Sequence, residues 1–456
     1  MTTTNPRTGT GTTLLSAALP ADILTGGATQ TMFADGVIGE MVARATHPSY
    51  PHWWNSVRAS GYCLQPIHLH RGHGLTTQDR LMVRCGNRRA AVCTSCSRLY
   101  AADTWHLVHA GLCGGYHNIP ETITTHPQTF LTLTAPSYGK VHPPEHRTHA
   151  GQPVQPDLYD YTGHVLFTWW APDLWRRYTI RLRRLVATHL SDHGLPRNTV
   201  RVSFLKVHEN QTRLIPHYHA IIRLDAPTTP DQPPTPPPPV INSSQLAVLA
   251  AQAARDITLT VPDPTRAEGT RTLRLGTQTD VQPLDTTMPT NTRRKIAGYL
   301  AKYVTKSVAD TGITPKPISP HAIGDPAITD TLTPHAYALW HTIINLAHQA
   351  PEHYAAMATK LHTLGYRGHV TTKSRRYSTT MGHLRAIRAL WRAHHPTGEP
   401  DTDNTNLDTE ADCRPWSFAA SGHHTHGDYQ LTLTAARAHH DQLRARHQHP
   451  NPAGSP

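Results

Sequence analysis

Apolar and polar positions change their period several times along the chain, and each change marks a candidate element. Residues 129–135 (TFLTLTA) alternate with period two and are rich in β-branched side chains, which predicts a strand. Residues 171–189 (APDLWRRYTIRLRRLVATH) repeat apolar positions at helical spacing. With Pro172 early, Asp173 in the first turn and arginines later, they predict a helix. Two further alternating runs, 199–208 and 217–224, flank the turn-forming ENQTRLIP and predict an antiparallel hairpin. A helix over 243–257, a strand over 272–281 and a helix over 292–309 complete the series. The order β, α, β, β, α, β, α predicts an α+β, ferredoxin-like domain, a central antiparallel sheet with helices on one face.

Around this series the text is irregular. Residues 136–165 lack periodicity and read as a long loop, and 226–241 hold PTTPDQPPTPPPPV, an extended polyproline spacer. The division this suggests is a weakly ordered start over 1–47, a Cys-rich module over 48–120 and the α+β domain over 121–310. An Arg-rich helical region then covers 311–396, and a polar, His-rich tail over 397–456 is expected to be disordered.

Composition adds a partner. Lys+Arg number 43 against 31 Asp+Glu, a net charge of +12 that favours a polyanion, nucleic acid before an acidic membrane. No stretch approaches the roughly 18–20 apolar residues of a spanning helix. The Thr-rich N-terminus also lacks a charged start followed by an apolar run, so a cytoplasmic protein without a membrane role is expected. The 35 histidines accompany abundant Ala, Thr, Pro and Arg, a mix that GC-rich codons produce, so few of them are expected to do chemistry.

Two segments stand out from that background. His217 and His219 are i, i+2 on a predicted strand and point to one side, offering two imidazoles to one ion, with Glu209 across the hairpin as a third ligand. In the predicted helix IAGYLAKYVTK, Tyr299 and Tyr303 are i, i+4 and share a face, flanked by the i, i+4 pair Lys302 and Lys306. Four of the six cysteines, Cys63, Cys85, Cys93 and Cys96, fall close together and include a CxxC, the spacing of a structural Zn²⁺ site, with Cys113 as a substitute ligand.

A His-hydrophobic-His strand followed by a Tyr-x-x-x-Tyr helix resembles the HUH endonuclease superfamily. The segments CGNRRAAVCTSCSRLYAADTWHLVHAGLCGG, YDYTGHVLF, APDLWRRYTIRLRR, HYHAIIRLD, GYLAKYVTK and TKSRRYSTTMGHLRA are similar to plasmid rolling-circle replication initiators of the Streptomyces type, over roughly 55–395. The resemblance implies a nuclease that nicks one strand at a plasmid origin. It would use Mg²⁺ or Mn²⁺ on His217, His219 and Glu209, and leave a 5′-phosphotyrosine and a free 3′-hydroxyl primer. By the resemblance Tyr303 is the nucleophile and Tyr299 has a secondary role, with Lys302 and Lys306 favouring the phenolate. DNA is the implied partner, with host helicase and polymerase downstream. Arg176, Arg177, Arg181, Arg183 and Arg184 on one helix, and Arg375 with Arg376, are candidates to track its backbone. Two rival readings remain open: an HUH relaxase or transposase, and a zinc-dependent DNA-binding regulator without catalysis.

Overall fold

In the computed structural model, which describes residues 28–72, 79–229, 232–306, 313–314, 317–394 and 415–448, the chain falls into two units. One is Met1–Arg98 with Thr402–Pro456, the other Leu99–Asp401. The first unit carries helices α1 (Ala28–Thr46) and α2 (Tyr50–Ala59), strands β1 (Ile67–Arg71) and β2 (Arg80–Val83), and the start of helix α3 (Thr94–Cys113). The expectation of weak order over 1–47 fails at α1; residues 1–27 lie outside the described residues.

The expected disordered tail is likewise corrected. Strand β10 (Trp416–Ser421) pairs antiparallel with β1, and helix α9 (His426–Gln448) lies against α1. The local cause is a specific polar lock. Arg44 holds the buried Asp428 through two hydrogen bonds of 2.6 and 2.9 Å, and Gly427 N donates to Glu40 Oε2 at 2.7 Å. Composition marks this segment as polar, but long-range pairing overrides composition. Residues 395–414 and 449–456 lie outside the described residues.

The second unit is mixed α/β with antiparallel sheets. It runs β3 (Gln128–Leu133), α4 (Tyr161–Asp192), β4 (Arg201–Asn210), β5 (Pro216–Asp225), α5 (Ser243–Asp256), β6 (Thr258–Pro262), β7 (Thr270–Arg274), β8 (Thr279–Leu284) and α6 (Thr290–Tyr303). It continues with α7 (Pro334–Gln349), β9 (Thr371–Lys373) and α8 (Met381–His394). Five strands form one antiparallel sheet in the order β8-β3-β5-β4-β9, while β6 and β7 form a separate ribbon.

Alternation in PHYHAIIRLD divides the molecule. Tyr218, Ala220, Ile222 and Leu224 face a core built with α4, α5 and α7, whereas Ile221 faces a second core shared with α3 and α6. Helices therefore cover both faces of the sheet, not one as expected. The region 311–396, expected to be helical and separate, contributes the edge strand β9 to the same sheet.

Two boundaries moved for identifiable reasons. Helix α4 begins ten residues before the predicted 171, because the Asp160 carboxylate caps it by accepting from Gly163 N at 2.8 Å and Pro172 is carried inside it. The predicted strand 272–281 is two strands on different partners. Its break passes Gly276, whose N–H donates to Thr134 O at 2.8 Å and where a Cβ would lie 2.6 Å from Ala135 O.

Candidate functional site

The β4–β5 register places Glu209 directly opposite His217 and Val207 opposite His219, while β3 places Thr132 on the other side of His219. Residues opposite one another share a face, so alternation alone gathers His217, His219, Glu209, Thr132 and Phe130 on the side of the sheet that α6 covers. The buried Ala297, Leu300 and Val304 press α6 onto that side and bring its tyrosines over the histidines.

The resulting contacts are short. The two imidazole centroids lie 4.6 Å apart. His219 Nε2 is 3.3 Å from Glu209 Oε2 and 3.4 Å from the Tyr299 hydroxyl. Its Nδ1 lies 3.2 Å from Thr132 Oγ1, and Phe130 stacks parallel to its ring. Gln211 Nε2 donates to His217 Nδ1 at 3.1 Å, and Gln211 Oε1 accepts from Arg213 Nε, whose guanidinium also donates to the carbonyls of Ala135 and Pro136. Tyr303 lies beside both: its ring is 4.6 Å from that of Tyr299 and 5.3 Å from that of His219.

The lysines separate. Lys306, just past the end of α6, donates to Glu209 Oε1 at 2.8 Å and sits 4.3 Å from the centre of the Tyr303 ring. Lys302 is exposed and joins neither contact.

Electrostatics follow from half-burial. His217 is pushed down to about 4, first by burial and then by repulsion from His219, so it stands neutral, its one ring lone pair at Nδ1 engaged by Gln211. Burial opposes ionisation of Glu209, yet the hydrogen bonds from His219 and Lys306 outweigh it and leave the carboxyl below its ordinary range. Tyr299 is held well above the ordinary phenol value by burial and by its hydrogen bond with Tyr303, so it keeps its proton. Imidazole and carboxylate are ligand types for a divalent ion, but the ligand atoms of His217, His219 and Glu209 are not gathered as the cysteine sulfurs are.

The cysteines behave differently. Ligand atoms of Cys63, Cys85, Cys93 and Cys96 all lie within 4.8 Å of one another, the one convergence of three or more such groups among the described residues. Cys63 Sγ is 3.8 Å from Cys93 Sγ and 3.6 Å from Cys96 Sγ. A tetrahedral ion with metal–sulfur bonds near 2.3 Å places its sulfurs about 3.8 Å apart. Backbone N–H groups of Leu64, Cys85, Asn87 and Cys96 point at these sulfurs at 3.3–3.5 Å, favouring thiolate. The cluster could hold a metal such as zinc. Cys113 belongs to the second unit and lies in its α3–α6 core, so it is not a substitute ligand.

Of the candidate arginines, those on α4 are not brought to the histidines, because α4 packs on the opposite face of the sheet. Arg176, Arg177, Arg183 and Arg184 are exposed, while Arg181 is tied to Asp256 at 2.6 Å. Arg375 is exposed, and Arg376 donates to Thr228 Oγ1 at 2.9 Å. Sequence reasoning missed Thr132, Gln211, Phe130 and Arg213. Thr132 and Phe130 share a face in the alternating TFLTLTA, and that parity was the available signal.

No helix among the described residues is long and apolar enough to cross a membrane. The family model RepSA, described as replication initiator protein, pSAM2, matches residues 49–150 and 143–437. A replication initiator protein of Streptomyces ambofaciens is 38% identical over 443 residues, 89% of this chain and 94% of that one. No solved structure matches the chain.

Proposed function

The chain belongs to the pSAM2 family of replication initiator proteins, and from that premise we propose that it starts plasmid replication by nicking one strand of the origin through a tyrosine. In this reading the second unit is an HUH endonuclease of ferredoxin-like ancestry. What supports it most is the meeting at one nitrogen: His219 Nε2 lies within 3.4 Å of both a carboxylate and a phenol delivered by two other elements, β4 and α6.

His217, His219 and Glu209 would hold Mg²⁺ or Mn²⁺, whose chemistry there is to polarise the scissile phosphate. Thr132 contacts the His219 ring from behind, whereas the His217 lone pair that accepts from Gln211 at Nδ1 is the one it would offer the ion, so binding would displace that hydrogen bond. Tyr303 supplies the attacking oxygen. Its O–P bond forms as the P–O3′ bond breaks, the phenol proton leaves, and the 3′ oxygen takes one up, conserving the ester for strand joining. Tyr299, which keeps its proton, donates a hydrogen bond to the bound strand and stands ready for a second attack. Lys306 holds Glu209 and places a positive charge against the Tyr303 ring. The free 3′-hydroxyl then serves host helicase and polymerase.

DNA outside the cleft meets Arg176, Arg177, Arg183 and Arg184 on one face and Arg375 with Arg376 on another. The four cysteines would bind one Zn²⁺ that holds the first unit together.

The test is to incubate the protein with supercoiled origin plasmid and Mg²⁺ and map any covalent adduct by mass spectrometry. The expected result is a relaxed plasmid with DNA on Tyr303. A plasmid left supercoiled would return the protein to a non-catalytic regulator, and cleavage confined to a transfer origin would make it a relaxase.

A further inference from the structure

The end of the sheet away from the histidines carries a groove that the nicking chemistry does not use. Its volume is about 1070 Å³, and Tyr116, His117, Asn118, Arg375, Arg376 and Ser378 lie along its walls. Arg223, which marks this end of β5, is four residues beyond His219, about 13 Å along a strand.

Gln232, Pro233 and Pro234 of the Pro-rich spacer close one side of the groove, and its two other walls are anchored to one buried side chain. The fully buried Arg223 donates to Gly111 O at 2.7 Å under one wall, and to Tyr377 O and Arg376 O at 3.0 and 3.3 Å under the other. Asp225 neutralises it through hydrogen bonds of 2.7 and 3.1 Å. The Tyr377 ring fills the space beside Gly111, where a Cβ would come within 2.2 Å of it. On the other wall the turn after α3 is fixed by backbone conformation. Gly114, Gly115, His117 and Asn118 all have positive φ, and Gly115 N donates to Ile119 O at 2.8 Å. A buried ion pair spent on carbonyls builds a rigid groove, not a loose surface.

The lining has the chemistry of a nucleotide site. Tyr116 is 51% exposed although large and aromatic. Behind it the ring of His109 lies 5.4 Å away and itself stacks on Trp105 at 4.4 Å, so the phenol is backed by a ledge of rings. Arg375 and Arg376 supply two guanidinium groups against the single carboxylate of Glu121. The volume, about 1070 Å³, lies just above the roughly 300–1,000 Å³ range of small-molecule sites, so it has room for more than one base.

We propose that this groove binds a short unpaired stretch of DNA, with one base stacked on Tyr116, a phosphate on Arg375 and Arg376, and a base edge on Asn118. It rests on the reading that DNA is the substrate, and makes this a second strand-holding site remote from the nick. An aromatic platform beside a basic wall is how unpaired strands are held without sequence preference.

The experiment uses the full chain, without added divalent ion, and a fluorescein-labelled oligothymidylate, read by anisotropy across a salt series. Tyr116→Ala is expected to weaken binding roughly five- to fifty-fold, and Tyr116→Phe, which keeps the ring, to restore it. Arg375→Ala should weaken binding and lower the salt slope by about 0.7, one phosphate contact on a single strand. A bromodeoxyuridine oligonucleotide should photocrosslink to the peptide carrying Tyr116. Unchanged affinity in both alanine variants, with a crosslink elsewhere, overturns the proposal. So does competition by thymidine monophosphate as strong as by the oligonucleotide, which would make the groove a site for free nucleotide. Adduct formation by the wild-type protein is scored separately. Its absence with altered binding in the variants removes the nicking reading and leaves the groove, whereas its presence with unaltered binding does the reverse.

Discussion

The cysteine cluster and the histidine–tyrosine site are both candidate metal centres, and the chain prepares them in opposite ways. Around the cysteines four sulfurs converge to the spacing of a tetrahedral ion, three of the four residues are buried, and backbone N–H groups are aimed at the sulfurs. Around the histidines the ligands are engaged by groups that can leave: Gln211 on His217, Lys306 on Glu209 and Tyr299 on His219. A closed, four-sulfur site suits a structural ion, and an open one with three protein ligands suits chemistry. On the proposed reading the difference is one of purpose: the first site would convert binding free energy into folding, and the second would keep a coordination side available to substrate.

The largest effect expected from breaking that contrast is on catalysis. Tyr303→Phe should reduce nicking of a single-stranded origin oligonucleotide by at least about 10⁴-fold, the scale of losing a nucleophile. His219→Ala should do the same, with zinc content still one per chain by elemental analysis. Persistence of the adduct in Tyr303→Phe moves the attack to Tyr299, whose hydroxyl already touches His219. Loss of zinc in His219→Ala would break the independence of the two centres.

Next is the closed site. Cys93→Ser should abolish zinc binding and cost the first unit more than about 3 kcal/mol, since structural zinc contributes folding free energy directly. The readouts are metal content and protease sensitivity of α1 and α9. A zinc-free, protease-resistant variant would make the cluster an ordinary thiol core.

Much of the placement of these side chains is legible in the sequence, and the misses have physical causes. His217, His219 and the tyrosine pair could be read because alternation and helical spacing fix a face without any tertiary knowledge. The CxxC with two earlier cysteines was readable for the same reason of local spacing. Lys302 and Lys306 could not be told apart, because the helix ends at Tyr303 and the chain beyond it turns Lys306 toward Glu209. The ordering of 416–448 depends on Arg44 meeting Asp428 across 384 positions, which no window detects. The edge strand β9 is three residues long and owes its existence to pairing with Leu205–Val207, not to its own pattern.

Acid should act on the support of the open site. His335 is held at about 4 by burial, and the fully buried His164 lies well below its ordinary value for the same reason. Their folded values are depressed, so between about 6.5 and 4 the unfolded chain takes up protons that the folded chain refuses. Stability is complete above 6.5 and is lost as pH falls through that window, by up to about 1.4 kcal/mol per pH unit for each histidine. His335 Nε2 bonds to the carbonyl of Arg213, whose side chain holds Gln211 against His217, so loosening should reach the histidines. Thermal melts from pH 7 to 4 should show this slope, and a flat profile would show that these histidines are already protonated in the fold.

The smallest effect expected is also the finest division of the open site, between two lysines that sequence alone treats alike. Lys306 donates to Glu209 at 2.8 Å, yet it is half exposed, so screening by water limits what the ion pair gives to stability. Its value lies in charge placed beside Tyr303 and Glu209. Lys306→Ala should therefore slow nicking by about tenfold, the low end of the 10–100-fold cost of losing an outer partner at a metal site, with an unchanged melting temperature. Lys302→Ala removes an exposed ammonium that touches neither group and should change the rate by less than about twofold, while lowering affinity for long DNA at low salt by the share of one phosphate contact. Single-turnover cleavage with saturating oligonucleotide separates the two, because saturation hides the binding term. Equal loss of rate in both variants would mean that the helix end rearranges around the strand and that Lys302 joins Lys306 at the phosphate.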